Sequence, residues 1–205
     1  LRLLAETQIP KVFLDTSSLV APDELNGDLL LMESRTSVRR ITCHLLEQGR
    51  TLPGFIGDIS YAQSNRERYE GFCQALADAG KKVDSSLCLT TPLGIDTYRE
   101  EIDTFLSSLS RMPDAFVCAS DYVACILMQL LEKRGLRVPE DVAVSGFDNN
   151  TEDLLAEHLT TVQVFNEELG ARLALQILYR IKYPNTPHEI TYLGTNVLYR
   201  DSTGD

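Results

Sequence analysis

Short apolar runs alternate with amphipathic segments along most of the chain. Lys11 to Asp15, Leu29 to Met32, Gly54 to Gly57, Val83 to Leu89, Ala115 to Ala119 and Val142 to Phe147 are each brief and bounded by polar or turn-forming residues. That is how strands buried on both faces of a parallel sheet read. Between them, apolar residues recur at helical spacing: Val38, Ile41, Leu45 and Leu46; Tyr69, Phe72, Cys73 and Leu76; Ile102, Phe105, Leu106 and Leu109; Val123, Leu127, Leu130 and Leu131. Gly49, Gly80 and Gly135 stand where helices would stop. The pattern predicts helices from Glu33-Ser34 to Gly49, Ser64 to Ala79, Ile95 to Leu109 and Ser120-Asp121 to Gly135. Leu1 to Thr7 reads as a helix end and Thr151 to Glu157 as a short helix. Leu159 to Val164 is strand-like, Asn166 opens a helix ending near Ile181, and Ile190 to Tyr199 is one strand or a hairpin about Gly194-Thr195-Asn196. Strands alternating with helices of this length predict an α/β protein with doubly wound parallel sheets.

The stretch from Pro113 to Asn150 is the clearest unit: strand, helix, strand. In open α/β sheets, ligands bind beyond the carboxyl ends of the strands. Ser120-Asp121 and Asp148-Asn149 lie at two such ends, so a polar ligand is expected there. Both pairs are also plausible helix caps.

Composition bounds the function. Apolar residues make up 43% and charged residues 24%, ordinary for a globular chain with a core. No run of about eighteen apolar residues predicts a membrane helix. The first ten residues, LRLLAETQIP, lack the continuous apolar stretch of a secretory signal. The five cysteines form no CxxC pair, which suits free thiols in a reducing cytoplasm and offers no metal spacing. A net charge of −11 argues against nucleic-acid binding by these residues themselves. The short basic clusters Arg35-Arg39-Arg40 and Lys133-Arg134-Arg137 read as solvated helix faces. His44, His158 and His188 are scattered, and no nucleophile, P-loop, dinucleotide or zinc-protease motif occurs, so no catalysis and no cofactor are expected.

The stretch PDAFVCASD…LLEKRGLRVPEDVAVSGFDN resembles the effector-binding domain of the LacI/GalR family of bacterial transcription regulators. Phe55-Ile56-Gly57-Asp58, Ser64, Arg68, Gly71-Phe72, Leu159-Thr160-Thr161-Val162 and Glu168-Leu169-Gly170 extend the resemblance over nearly the whole chain. It implies two periplasmic-binding-protein-like lobes joined by three chain crossings, expected near Lys82, Val162 and Pro187. The first lobe would comprise residues 1–82 and 162–187, the second 83–161 and 188–205. The family's DNA reader, hinge helix and opening βα units have no counterpart here, so the first lobe is expected to be incomplete. Leu14, Leu30 and Phe55 would then lose part of their cover.

The resemblance also assigns ligand-binding roles. Arg68 would reach into the cleft and donate a forked pair of hydrogen bonds; read alone, it could equally pair with Glu67 or Glu70 at the surface. Asp148 and Asp121 would accept hydroxyl hydrogen bonds, with Ser120, Ser64 and Asp58 as further candidates. The ligand would bridge Arg68 on one lobe and the two aspartates on the other. The family's aromatic platform is missing from TTPLGID, leaving Tyr98 or Tyr61 to substitute, and Phe147 reads as core. The implied function is sensing of a small effector, a sugar or sugar phosphate, by a cytoplasmic homodimeric regulator that reaches operator DNA only through a helix-turn-helix domain absent from these residues. The alternative is a periplasmic-type sugar receptor of a transport system, with the same fold and cleft.

Overall fold

The computed structural model describes residues 2–94, 96–150 and 157–205. Its strands are β1 (Val12–Leu14), β2 (Asp28–Met32), β3 (Pro53–Ile56), β4 (Cys88–Leu89), β5 (Ala115–Cys118), β6 (Ala143–Ser145), β7 (Thr161–Gln163), β8 (Ile190–Leu193) and β9 (Asn196–Leu198). The helices are α1 (Arg2–Ala5), α2 (Arg35–Glu47), α3 (Gln63–Asp78), α4 (Tyr98–Ser108), α5 (Asp121–Lys133) and α6 (Asn166–Lys182). Among the described residues, β4-β3-β5-β6 form one parallel sheet and β1-β2-β8 another. β7 pairs antiparallel with β9, and isolated bridges join its segment to β6 and Asp148.

The period-2 alternation of strand side chains builds the larger lobe. Phe55, Ala115, Val117 and Ala143 face one side of the four-stranded sheet and meet Val38, Ile41 and Leu45 of α2 and Phe72 and Leu76 of α3. Ile56, Phe116, Cys118 and Val144 face the other and meet Ile102 and Leu106 of α4 and the Val123–Leu131 face of α5. Both faces are therefore dry, as a parallel sheet requires. The smaller lobe has a thin core of Leu25, Leu29 and Leu31 with Phe13 and Val20 against it.

Several expectations are corrected. The lobe boundaries move because Pro53–Ile56, expected in the first lobe, pairs with β4 and β5. With α2 and α3 on the same sheet, the first crossing lies between Met32 and Arg35 rather than near Lys82. Thr161–Gln163 belongs with the larger lobe, so the second crossing falls between Gln163 and Asn166. Ile190–Leu193 pairs parallel to β2, whereas Asn196–Leu198 pairs with β7. The segment expected as one strand or a hairpin is thus two strands in different sheets, and Gly194-Thr195 is the third crossing. Leu30 and Phe55 keep their cover at 1% and 0% exposure, while Leu14 is 46% exposed. Val83 to Leu89 yields only the two-residue β4 after a 3-10 turn. The helix expected over Thr151 to Glu157 lies almost wholly outside the described residues.

Four arginines of the basic clusters pair locally: Arg35 with Glu70, Arg39 with Asp78, Arg134 with Asp103 and Arg137 with Asp141. The cysteines are free.

Candidate effector-binding site

The order β4-β3-β5-β6 contains a reversal. The chain leaves β3 to one side for β4, then returns to β3's other side for β5. A crevice opens at such a switch point, beyond the strands' carboxyl ends. Arg68, on α3, sits in that crevice and is only 4% exposed. Its Nη1 donates to the carbonyl of Ala119 just past β5 and, at 3.5 Å, to Asn65 Oδ1. Its guanidinium lies 3.7 Å from the ring centroid of Phe147, and its Nη2 is 3.5 Å from Asp148 Oδ1. Phe147 is fully buried, as expected of a core residue, yet it also fixes the plane of the arginine. Burial lowers the Arg68 pKa, opposed by the fields of Asp148, Asp15, Asp121 and Glu67. Its Nε has no partner.

Asp148 follows β6 with φ 109°, and Asn149 with φ 52°. Two consecutive non-glycine residues at positive φ cost on the order of 1–3 kcal/mol each and persist only where the surroundings hold them. Here Asp148 N donates to Val162 O, and the Asn149 side chain is held by Gln163 and Arg200. The Asp148 side chain stays 43% exposed, with burial raising its pKa and Arg68 lowering it.

Asp121 is buried beside it. Its Oδ1 accepts from Thr161 Oγ1 at 2.6 Å and its Oδ2 from Asn150 N at 2.8 Å. Burial pushes its pKa up to about 6, against the lowering effect of those bonds and with a further rise from Asp148. Gly146 is required by this carboxylate, since a Cβ there would stand 2.2 Å from Asp121 Oδ1. Ser120 uses its hydroxyl to cap α5 through Val123 N. Asp58 closes its own turn, accepting from Ser60 N, Ser60 Oγ and Tyr61 N. Ser64 donates to Asp15 Oδ2 at 2.5 Å.

The structure brings Arg68, Asp121 and Asp148 together, but in one lobe. Arg68 and the two aspartates therefore do not stand on opposite lobes. The smaller lobe contributes instead through Asp15, after β1, and Tyr192, on β8. Asp15 accepts from Ser64, and Tyr192 Oη donates to the buried Glu67 Oε1 at 2.8 Å. Asp15, missed in the sequence, carries a signal in retrospect: KVFLD ends like FIGD, CASD and GFD, a strand followed by an aspartate. Tyr98 is half-buried and packs edge-on against Tyr122; its pKa is raised by burial, with Asp58 adding to the rise.

A two-lobed α/β frame with polar groups converging at the strands' carboxyl ends defines a ligand-binding protein of the periplasmic-receptor type. The periplasmic binding protein-like domain family matches residues 42–203. The HTH-type transcriptional regulator DegA of Bacillus subtilis is 31% identical over 82% of this chain and 48% of its own length. The HTH-type transcriptional repressor PurR of Actinobacillus pleuropneumoniae is 30% identical over 92% of this chain and 55% of its own. The transcriptional regulator CelR, solved with cellobiose, superposes with a TM-score of 0.81 at 28% identity, covering 93% of this chain and 58% of that one. The chain belongs to the periplasmic binding protein-like family, in its LacI/GalR regulator branch. It spans about half the length of the curated relatives it matches. None of the described helices is long and apolar enough to cross a membrane.

Proposed function

We propose that this chain is the effector-sensing module of a LacI-type transcription regulator and that its effector is a sugar. The observation that carries the reading is the pair Arg68–Asp148: a buried guanidinium with a free Nε facing a half-exposed carboxylate on strained backbone, at the switch point of the sheet. Such a pair offers donors and acceptors in the geometry that vicinal hydroxyls use. The cellobiose bound to the related CelR supports a sugar, and the regulator names of DegA and PurR favour gene control over transport.

Asp121 and Asp148 accept ligand hydroxyls, Arg68 donates, and Ser64 and Asp58 line the approach. Ser120 serves the helix. The ligand favours one disposition of the lobes through the Asp15–Ser64 and Tyr192–Glu67 contacts, because those contacts form only when the lobes approach. Operator affinity responds through a helix-turn-helix reader outside these 205 residues, and the coupling is reciprocal. No turnover of the ligand is expected. The regulator acts in the cytoplasm as a homodimer, whose two-fold symmetry matches a palindromic operator. The test is effector-dependent operator release by the whole protein. A sugar that shifts operator binding in the native protein and not in Asp148→Ala supports the reading; turnover of that sugar, or an unchanged response in the variant, overturns it.

A further inference from the structure

Four parallel strands each deliver an aspartate at the carboxyl end: Asp15 after β1, Asp58 after β3, Asp121 after β5 and Asp148 after β6. Glu67 adds a fifth carboxylate, only 3% exposed. Against them stand Arg68, already engaged with Asp148, and Arg200, whose field reaches Asp121. Asp15, Asp58 and Glu67 accept hydrogen bonds from neutral donors: backbone amides, serine hydroxyls, Gln63 and Tyr192. Their direct partners are thus dipoles, while the Arg68 cation reaches Asp15 and Glu67 through its field alone. Two buried donors at this place have no partner, Arg68 Nε and the hydroxyl of Thr16, next to Asp15. Thr16 is 7% exposed.

Resting on the sugar-sensor reading above, we infer that the cleft selects an uncharged or amine-bearing sugar and rejects phosphorylated or carboxylated analogues. A sugar hydroxyl or ammonium donates to carboxylates that already accept only neutral bonds. A phosphate or carboxylate brings like charge among them, and Arg68 is shared with Asp148. A unit of like charge at such range is worth on the order of tenfold to a hundredfold in affinity. Asp15 has a particular part in this selection. It is the smaller lobe's contribution, so an anion opposes closure as well as docking.

The experiment is calorimetric titration at neutral pH with glucose, cellobiose, glucosamine, glucose 6-phosphate and glucuronate, on the native protein and on Asp15→Asn. The inference expects binding by at least one neutral or amino sugar, with its anionic counterpart weaker by about tenfold or more. It expects Asp15→Asn to narrow that ratio. Raised salt should narrow it too, which needs no variant and so survives a misfolded Asp15→Asn. An anionic sugar that binds as tightly as its neutral parent overturns the charge selection and leaves the sensor reading standing. Silence across the whole panel, from folded protein, overturns the sugar reading and this inference with it.

Discussion

Two arginine–aspartate pairs, each with a buried guanidinium, lie at opposite ends of strands, and they differ in how completely they are satisfied. Arg180, on α6, meets Asp28 at the start of β2. Its Nε donates at 3.1 Å and its Nη2 more closely, while its remaining donors reach Thr186 and the Pro187 carbonyl. Asp28 also accepts from Gln176 and from the Glu189 amide. Arg180 and Asp28 are 3% and 1% exposed. Arg68 and Asp148 stand 3.5 Å apart at the carboxyl ends, with an unpartnered Nε and an exposed carboxylate. Saturation makes the first pair a structural staple between α6, β2 and the 184–189 segment. Open valence makes the second a place for something else to bind.

The comparison is sharpened most by Arg180→Met. Removing one member of a buried pair strands the other, at a cost of roughly 3–5 kcal/mol. Denaturant unfolding should register that loss, with the ranking of effectors unchanged. Burial alone would raise the Asp28 pKa, but its bonds to Arg180, Gln176 and Glu189 hold it below the ordinary carboxylate value. Its stabilisation is therefore present above the unfolded pKa and lost as pH falls through the folded one. Acid unfolding should be less steep in Asp28→Asn.

Asp148→Gly sets the other pair apart. Hydrogen bonds to a charged group are worth about 1.5–3 kcal/mol, so effector affinity should fall about a hundredfold. Stability should change little, because glycine relieves φ 109° while Arg68 loses the field of Asp148. A large drop in melting temperature would instead make Asp148 structural, like Asp28.

The pH response follows from Asp121. A folded pKa of about 6 means that its ionisation destabilises the fold. Stability from this group is full below the unfolded pKa and is lost as pH rises through about 6. Effector binding runs the opposite way, since only the carboxylate accepts two hydroxyls. Affinity should weaken by up to about tenfold per pH unit below that value, and Asp121→Asn should flatten the profile. The smallest effect belongs to Tyr192→Phe. Loss of one bond between lobes should cost about 1 kcal/mol of closure, seen as a larger radius of gyration in solution scattering.

The strand–helix alternation was legible because each buried strand is a short apolar run and each helix has one apolar face. The lobes were not. Chain crossings here are two-residue passages such as Glu33-Ser34 and Gly194-Thr195, with no composition shift to mark them. Arg68, Asp121 and Asp148 were found through motif resemblance, while their placement in one lobe depends on β3 pairing with β5, a non-local register that periodicity does not encode. Asp15 and Tyr192 enter the cleft through that same long-range topology. Ser120 caps α5, and a helix cap and a ligand contact look alike in sequence.

The role of Asp148 is tested by thermal melting of the native protein and Asp148→Ala across a panel of mono- and disaccharides. A ligand of the native state raises the midpoint by mass action. A sugar should do so in the native protein and have no effect on the variant. A sugar whose shift survives intact in Asp148→Ala would contradict it, and so would a folded protein that no sugar moves.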